Sequence, residues 1–359
     1  MRGKVDPQQG LFAYFSPESR VPANHPLRTI KHHADMALKA ISAQLDELYA
    51  SGGRPSVAPE RLLKAQLLVA LYSVRSDRAF CEQLEYNLLF RWFLDMSLDE
   101  AGLDQSNFSR LRERLVETDV AQRFFDEVVK IARREHLLSD EHFTVDGTLI
   151  EAWASLKSIR PKDGPPPPTG GDGTGMVDFK GERRTNETHE SSTDPEAKLM
   201  RKGNGQPAKL SYGGHALMDN RHGLCVDLAV TDARLHETLA AETILARQRR
   251  KHRHPTTLGA DKGYCVRSFI AHLREHGIAP HIARIDGRRT PGLDGRTTRH
   301  DSYRVSQRKR KRVEEIFGWL KTVGGLRKCR FIGRVRTQLY VHLAGAAYNL
   351  LRISRLLTV

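Results

Sequence analysis

The stretch "HFTVDGTLI", residues 142 to 150, constrains the fold more than any other. Phe143 and Val145 fall on one side, Thr144 and Asp146 on the other. That is the period of a strand with one apolar face. Upstream the period is different. In "APERLLKAQLLVALYSV" the apolar residues Leu62, Leu63, Leu67, Val69, Ala70, Leu71 and Val74 recur at helical spacing, and Pro59 stands where a helix starts. "DRAFCEQLEYNLLFRWFL" continues it with Phe80, Leu84, Leu88 and Leu89. A chain that changes from a period of 3.6 to a period of two is read as a helical region, residues 1–135, followed by an α/β region, residues 136–359.

The later elements fit that division. "HALMDNRHGLCVDLAVTD" reads as a hairpin turning near Asn220–Gly223, with Leu224, Val226, Leu228 and Val230 at period two. "PTTLGADKGY" ends a strand at Asp261, "VRSFIAHLREHG" is a helix closing on Gly277, and "IAPHIARI" is a further strand. Asp232 is read as the N-cap of the helix after the hairpin. Between the first strand and the hairpin, about residues 155–210, proline, glycine and charge dominate. That composition predicts a disordered basic insert. "DGRRTPGLDGRTTRHDSYR" reads as a second loose stretch, and "TQLYVHLAGAAYNLLRISRLL" as an apolar core helix.

Charge narrows the function classes. The chain of 359 residues carries a formal net charge of +15, which points to a polyanionic partner and foremost to nucleic acid. The most apolar segment, "LLKAQLLVALYSV", is too short to span a bilayer, and the N-terminus has no signal-peptide run. Cys81, Cys225, Cys265 and Cys329 are scattered, which excludes a CxxC knuckle and fits a reducing compartment. We therefore expect a cytoplasmic protein with no membrane partner. No GxxxxGK loop is present, which argues against a nucleoside triphosphatase. His215, His222 and His236 with Asp232 raise a zinc site, but no HExxH helix accompanies them. In the helical region "DQSNFSRLRERL", capped by Ser106 or Asn107, carries Arg110, Arg112 and Arg114. It is read either as a DNA-reading helix or as a solvated amphipathic helix.

Three carboxylates stand out. Asp146 lies in a strand and Asp261 ends one, which is costly unless something positive meets each. The third comes from "RKRKRVEEIFGWLK", residues 308–321, where Arg308, Lys309, Arg310, Lys311 and Arg312 precede Glu314 and Glu315. On a helical wheel from Val313, with Val313, Ile316, Phe317 and Leu320 as the buried stripe, Glu314 falls at about 100°, Lys321 at about 80° and Arg310 at about 60°. Glu315 falls at about 200°, toward solvent, so Glu314 is the expected functional acid. Three oxygen-donor side chains suit Mg²⁺ or Mn²⁺.

"FTVDGTLIEAWAS", "GADKGY" and "RVEEIFGWLK" resemble, in order, the three catalytic blocks of a DDE transposase from a bacterial insertion sequence. The third block is similar to the group with an Arg-x3-Glu-x6-Lys pattern, here Arg310, Glu314 and Lys321. That group often carries a tyrosine with two residues between it and the arginine. Position 307 is Gln307 here, and the nearest tyrosine is Tyr303. The resemblance implies an RNase H-like catalytic domain after an all-helical DNA-binding or dimerisation domain. It implies two Mg²⁺ or Mn²⁺ ions on Asp146, Asp261 and Glu314, which act as the catalytic residues. It implies cleavage at terminal inverted repeats and joining of the freed 3′-OH to target DNA, performed by a homodimer or higher assembly in the bacterial cytoplasm, at the nucleoid. Arg308, Lys309, Arg310, Lys311, Arg312, Lys321 and Lys262, with Arg110, Arg112 and Arg114, are the expected DNA contacts. The alternatives are an RNase H-like nuclease without strand transfer and a domesticated DNA-binding regulator.

Overall fold

Val120–Arg134 becomes a helix because Val120, Phe124, Val128, Ile131 and Ala132 fall on one apolar stripe, with Phe125 and Val129 beside it. All of these are buried. Helices Pro17–Arg20, Pro26–Ala40, Ser42–Asp46, Pro59–Leu71, Asp77–Tyr86, Leu88–Phe93 and Gln105–Val116 make up the rest of the helical region among the described residues. Pro59 is at the first turn as read, whereas Gln105–Val116 is capped by Asp104 rather than Ser106 or Asn107, its carboxylate accepting the Asn107 amide at 3.0 Å. The computed structural model describes residues 16–48, 56–162, 184–203, 205–251, 255–285 and 293–357. None of the described helices is long and apolar enough to cross a membrane.

Among the described residues there are eight strand segments: β1 (His142–Glu151), β2 (Ile159–Pro161), β3 (His189–Ser191), β4 (Lys198–Met200), β5 (Lys209–Asp219), β6 (Leu224–Asp232), β7 (Thr257–Ala260) and β8 (Ala279–Ile282). β2 and β3 pair separately. In the main sheet β6 pairs antiparallel with β5, β5 antiparallel with β1, β1 parallel with β7, and β7 parallel with β8. β4 adds to the start of β5. This mixed order, with its first strand at the centre, is that of an RNase H-like domain, as the sequence resemblance implied. The hairpin, the strand before Asp261, the helix Arg267–Glu275 and the later strand all form as read, and Gly277 takes the left-handed φ of +69° that ends that helix.

Two expectations need correction. The insert is not disordered throughout: β3 and β4 lie within it, and Ser191 and Asp194 are buried. Asp194 accepts from Tyr212 Oη in β5, a contact local composition cannot reveal. The proline run lies outside the described residues. The second loose stretch is helical over Gly295–Thr298 and from Asp301 onward, with Tyr303 Oη donating to the Ile282 carbonyl at 2.7 Å.

The last helix, Arg334–Leu357, is the core element expected, and it also closes the outer edge of β6. Gln338 Oε1 accepts the Val230 amide at 2.6 Å, and Asn349 accepts the Cys225 amide at 2.9 Å while donating to its carbonyl at 2.7 Å. His342 Nε2 lies 3.2 Å from the Leu228 carbonyl. Gly345 sits on the same stripe, where a Cβ would stand 2.2 Å from Leu228 Cδ1, so only glycine lets the helix come this close. The same helix packs on Pro26–Ala40, Pro59–Leu71 and Val120–Arg134. Helical region and sheet thus share one hydrophobic core.

His342 supplies a test of this packing. Burial holds its imidazole down to about 4, and its ring stacks on Phe125. A histidine depressed in the folded state contributes stability above its unfolded value, near 6.5, and loses it as the pH falls toward 4. That loss is expected to be about 1.4 kcal/mol per pH unit from this ring. Asp219, which burial raises to about 6, acts in the opposite sense but equally in parent and variant. Urea unfolding at pH 7 and pH 5 should show less acid destabilisation in His342→Gln than in the parent. Equal losses would remove His342 as the cause.

Candidate active site

Register brings the two aspartates together. Thr144 pairs with Gly259 across parallel β1 and β7, so two residues further Asp146 stands beside Asp261, just past the end of β7. The Gly147 amide donates to Asp146 Oδ1 at 2.8 Å, and the Gly263 amide donates to Asp261 Oδ1 at 2.8 Å. Each carboxylate is therefore aimed by the backbone that follows it. Burial pushes the Asp146 carboxyl up to about 7; the Gly147 amide opposes this, and the charges of Asp261, Glu237 and Glu314 add to it.

Glu314 lies in the first turn of the helix Val313–Thr322, and Val313, Ile316, Phe317 and Leu320 are its buried residues, as the wheel predicted. Glu315 points elsewhere and pairs with Arg352 of the last helix at 3.0 Å. At the other end Lys321 Nζ donates to Thr148 Oγ1 at 2.5 Å, which ties this helix to β1. Burial, then Lys202 and Arg327, lower the Lys321 ammonium from its ordinary value. Arg310 departs from the wheel because Arg310–Arg312 form a 3₁₀ turn. Its Cβ rests 3.3 Å from where a Cβ on Gly259 would stand, over the strand that leads to Asp261. Gln307 holds it there: Gln307 Oε1 accepts from Arg310 Nε at 3.1 Å, and Gln307 Nε2 donates to the His281 carbonyl at 2.6 Å.

The other expected DNA contacts divide. Arg308, Lys309, Lys311 and Lys262 are exposed. Arg312 instead donates to the carbonyls of Asn220 and Arg221 at 2.9 Å each and braces the hairpin turn. In the helical region Arg110 is exposed, with Nη2 on Asn107 Oδ1 at 2.9 Å, and Arg114 is exposed as well. Arg112 is turned inward onto Asp77 and lies over the Phe331 ring.

Sequence reading missed Glu237, the first residue of the helix Glu237–Arg250. That helix is capped by His236, four residues later than the Asp232 cap expected; Asp232 instead pairs with Arg234. A glutamate at the start of a helix ordinarily complements the helix dipole, so nothing local marked it. The available signal was "VDG" and "DKG": a glycine beside each aspartate leaves room for a further side chain. Among the described residues no three His, Cys, Asp or Glu side chains already converge on one point tightly enough to hold an ion.

Two family models match the chain. The family described as Transposase DDE domain matches residues 168–350, more than half of the chain, and begins after Asp146. The family described as Transposase domain (DUF772) matches residues 15–114. The transposase for insertion sequence element IS1106 of Neisseria meningitidis serogroup B is 29% identical over 167 residues, 46% of this chain and 54% of the relative. The chain thus spans about half the length of that curated relative. Among solved structures, a piggyBac transposase synaptic complex with hairpin DNA has a TM-score of 0.39 at 10% identity, covering 94% of this chain and 76% of that one. A pre-cleavage Mos1 transpososome has a TM-score of 0.20 at 12% identity, covering 85% and 82%.

Proposed function

This chain belongs to the Transposase DDE domain family, and on that premise we propose that it is a DNA transposase. It cuts at the terminal inverted repeats of an insertion sequence and joins the freed 3′-OH ends to target DNA. The observation that carries the reading is the register of Asp146 beside Asp261 on neighbouring parallel strands, with Glu314 acting on Asp146 from a third element.

The residues fit a divalent cation. Asp146, Asp261 and Glu314 offer oxygen only, which suits Mg²⁺ or Mn²⁺. Glycines at 147 and 263 keep the space beside the aspartates clear of bulkier side chains. Bound there, two such ions would supply charge stabilisation to the attacking and leaving oxygens of a phosphodiester. The protein's own part is positioning. The amides of Gly147 and Gly263 fix the aspartate rotamers. Lys321, anchored on Thr148, and Arg310, held by Gln307, offer their cations to phosphates on either side of the cut. Exposed Arg308, Lys309, Lys311 and Lys262 hold the strand further out, and binding weakens steeply with salt because each contact releases counterions. A homodimer or larger assembly, one protomer at each end, completes the reading.

The test is incubation of the full chain with linear DNA carrying the repeats that flank its own coding sequence. Cleaved and joined products are expected with Mg²⁺ or Mn²⁺ and none in EDTA. Cleavage without joined product would favour the nuclease reading, and binding without cleavage the regulator reading. Full cleavage in EDTA would overturn the metal centre.

A further inference from the structure

We infer that Glu237 is a fourth carboxylate of this centre, a ligand for the divalent cation that Asp146 and Asp261 would hold. The inference rests on the transposase reading above and adds a residue to its site.

The geometry starts from the two glycines. A Cβ on Gly147 would stand 2.8 Å from Glu237 Oε1, and one on Gly263 would stand 3.6 Å from Glu237 Oε2 and 3.0 Å from Asp261 Oδ1. The Glu237 carboxylate therefore spans from the residue after Asp146 to the turn after Asp261. Yet it is half-buried, and among the described residues it has neither an ion pair nor a hydrogen bond to its carboxylate. A glutamate whose role was to complement a helix dipole would face water. This one is turned toward other acids, an arrangement that like charges oppose unless a cation joins them.

A second observation points to the same space. Tyr264 is 0% exposed, and among the described residues its hydroxyl has no hydrogen-bond partner. A phenol hydroxyl is both donor and acceptor, and among the described residues this one has found neither role. His215 is 3% exposed, and its Nδ1, 3.2 Å from the Gly147 Cβ position, likewise has no partner among the described residues. Its other nitrogen, Nε2, lies 2.9 Å from Thr231 Oγ1. That hydroxyl donates to the Asp232 carbonyl at 3.1 Å, so Nε2 carries the ring proton and Nδ1 presents a bare lone pair beside Glu237. Buried polar atoms are almost always satisfied. Two orphans around one carboxylate mark a volume whose occupant completes their bonding.

Mn²⁺ alone is the probe. Its binding to the full chain, without DNA, can be read from the electron paramagnetic resonance signal of free Mn²⁺ for the parent, Asp146→Asn and Glu237→Gln. Glu237→Gln is expected to weaken Mn²⁺ binding about 10- to 100-fold. In EDTA the same variant is expected to melt at or above the parent temperature, because one of several mutually repelling charges is gone. A helix-dipole role would lower that melting temperature and leave Mn²⁺ binding as it is, and that result would overturn the inference. Mn²⁺ affinity within twofold of the parent in Glu237→Gln, with loss in Asp146→Asn, would remove Glu237 and leave the three-residue centre standing. Unchanged affinity in both variants would remove the metal reading as a whole. Should Glu237→Gln not fold, Gly147→Ala reads the same point, since its methyl group takes the space of the Glu237 carboxylate.

Discussion

Asp146→Asn and Glu314→Gln are each expected to lower strand cleavage by about a thousandfold or more, with end-DNA binding kept. Asparagine and glutamine preserve shape and remove only the charge that a cation needs. The cations expected to hold DNA, such as Arg310 and Lys321, are untouched by either change, so gel-shift affinity should stay within a few-fold of the parent. Glu315→Gln is the control. Glu315 is paired with Arg352 on the side away from the aspartates, and loss of an exposed pair costs about 0–1 kcal/mol. It should cut at close to the parent rate. Were Glu315→Gln the inactive variant and Glu314→Gln the active one, the helix would be wrong by one residue, and the placement of Lys321 would go with it.

A fragment ending at residue 135 is expected not to fold. Phe124, Phe125, Val128, Val129 and Ala132 are buried in the whole chain, and the last helix is among the elements that cover them. Fully burying a residue such as Phe or Val is worth about 1.5–3 kcal/mol. Stripping several of them removes as much as the whole net stability of a domain, about 5–15 kcal/mol. Circular dichroism should show no cooperative melt, and a hydrophobic dye should bind. A sharp melt together with preference for end DNA would restore the separate recognition domain expected from the sequence. With the core shared, DNA contacts in the helical region are better tested in the full chain, starting with exposed Arg110.

What the sequence revealed was whatever depends on local period. The alternation around Asp146, the turn at Asn220–Gly223 and the stripe that orients Glu314 all follow from neighbours within a few residues. What it hid depends on partners far along the chain. Arg112 looked like a DNA contact because Asp77 lies 35 residues away, and Arg312 because its carbonyl partners lie about 90 residues away. Gln307 looked like a departure from the family pattern, yet it ties Arg310 to β8. Glu237 was invisible for the same reason. Only the tertiary path of its helix brings it over β1.

Because the cover of β6 comes from the far end of the chain, the order of synthesis matters. A ribosome adds about 5–20 residues per second, so roughly 6 to 23 s separate Asp232 from Asn349. Throughout that interval the amides of Cys225 and Val230 have no helix to meet. An open strand edge pairs readily with another of its kind, and on a crowded messenger the nearest candidate is the same hairpin on the neighbouring nascent chain. Slower initiation, which spaces the ribosomes, is therefore expected to raise the soluble fraction of this protein, and an unchanged fraction at matched expression would remove this route.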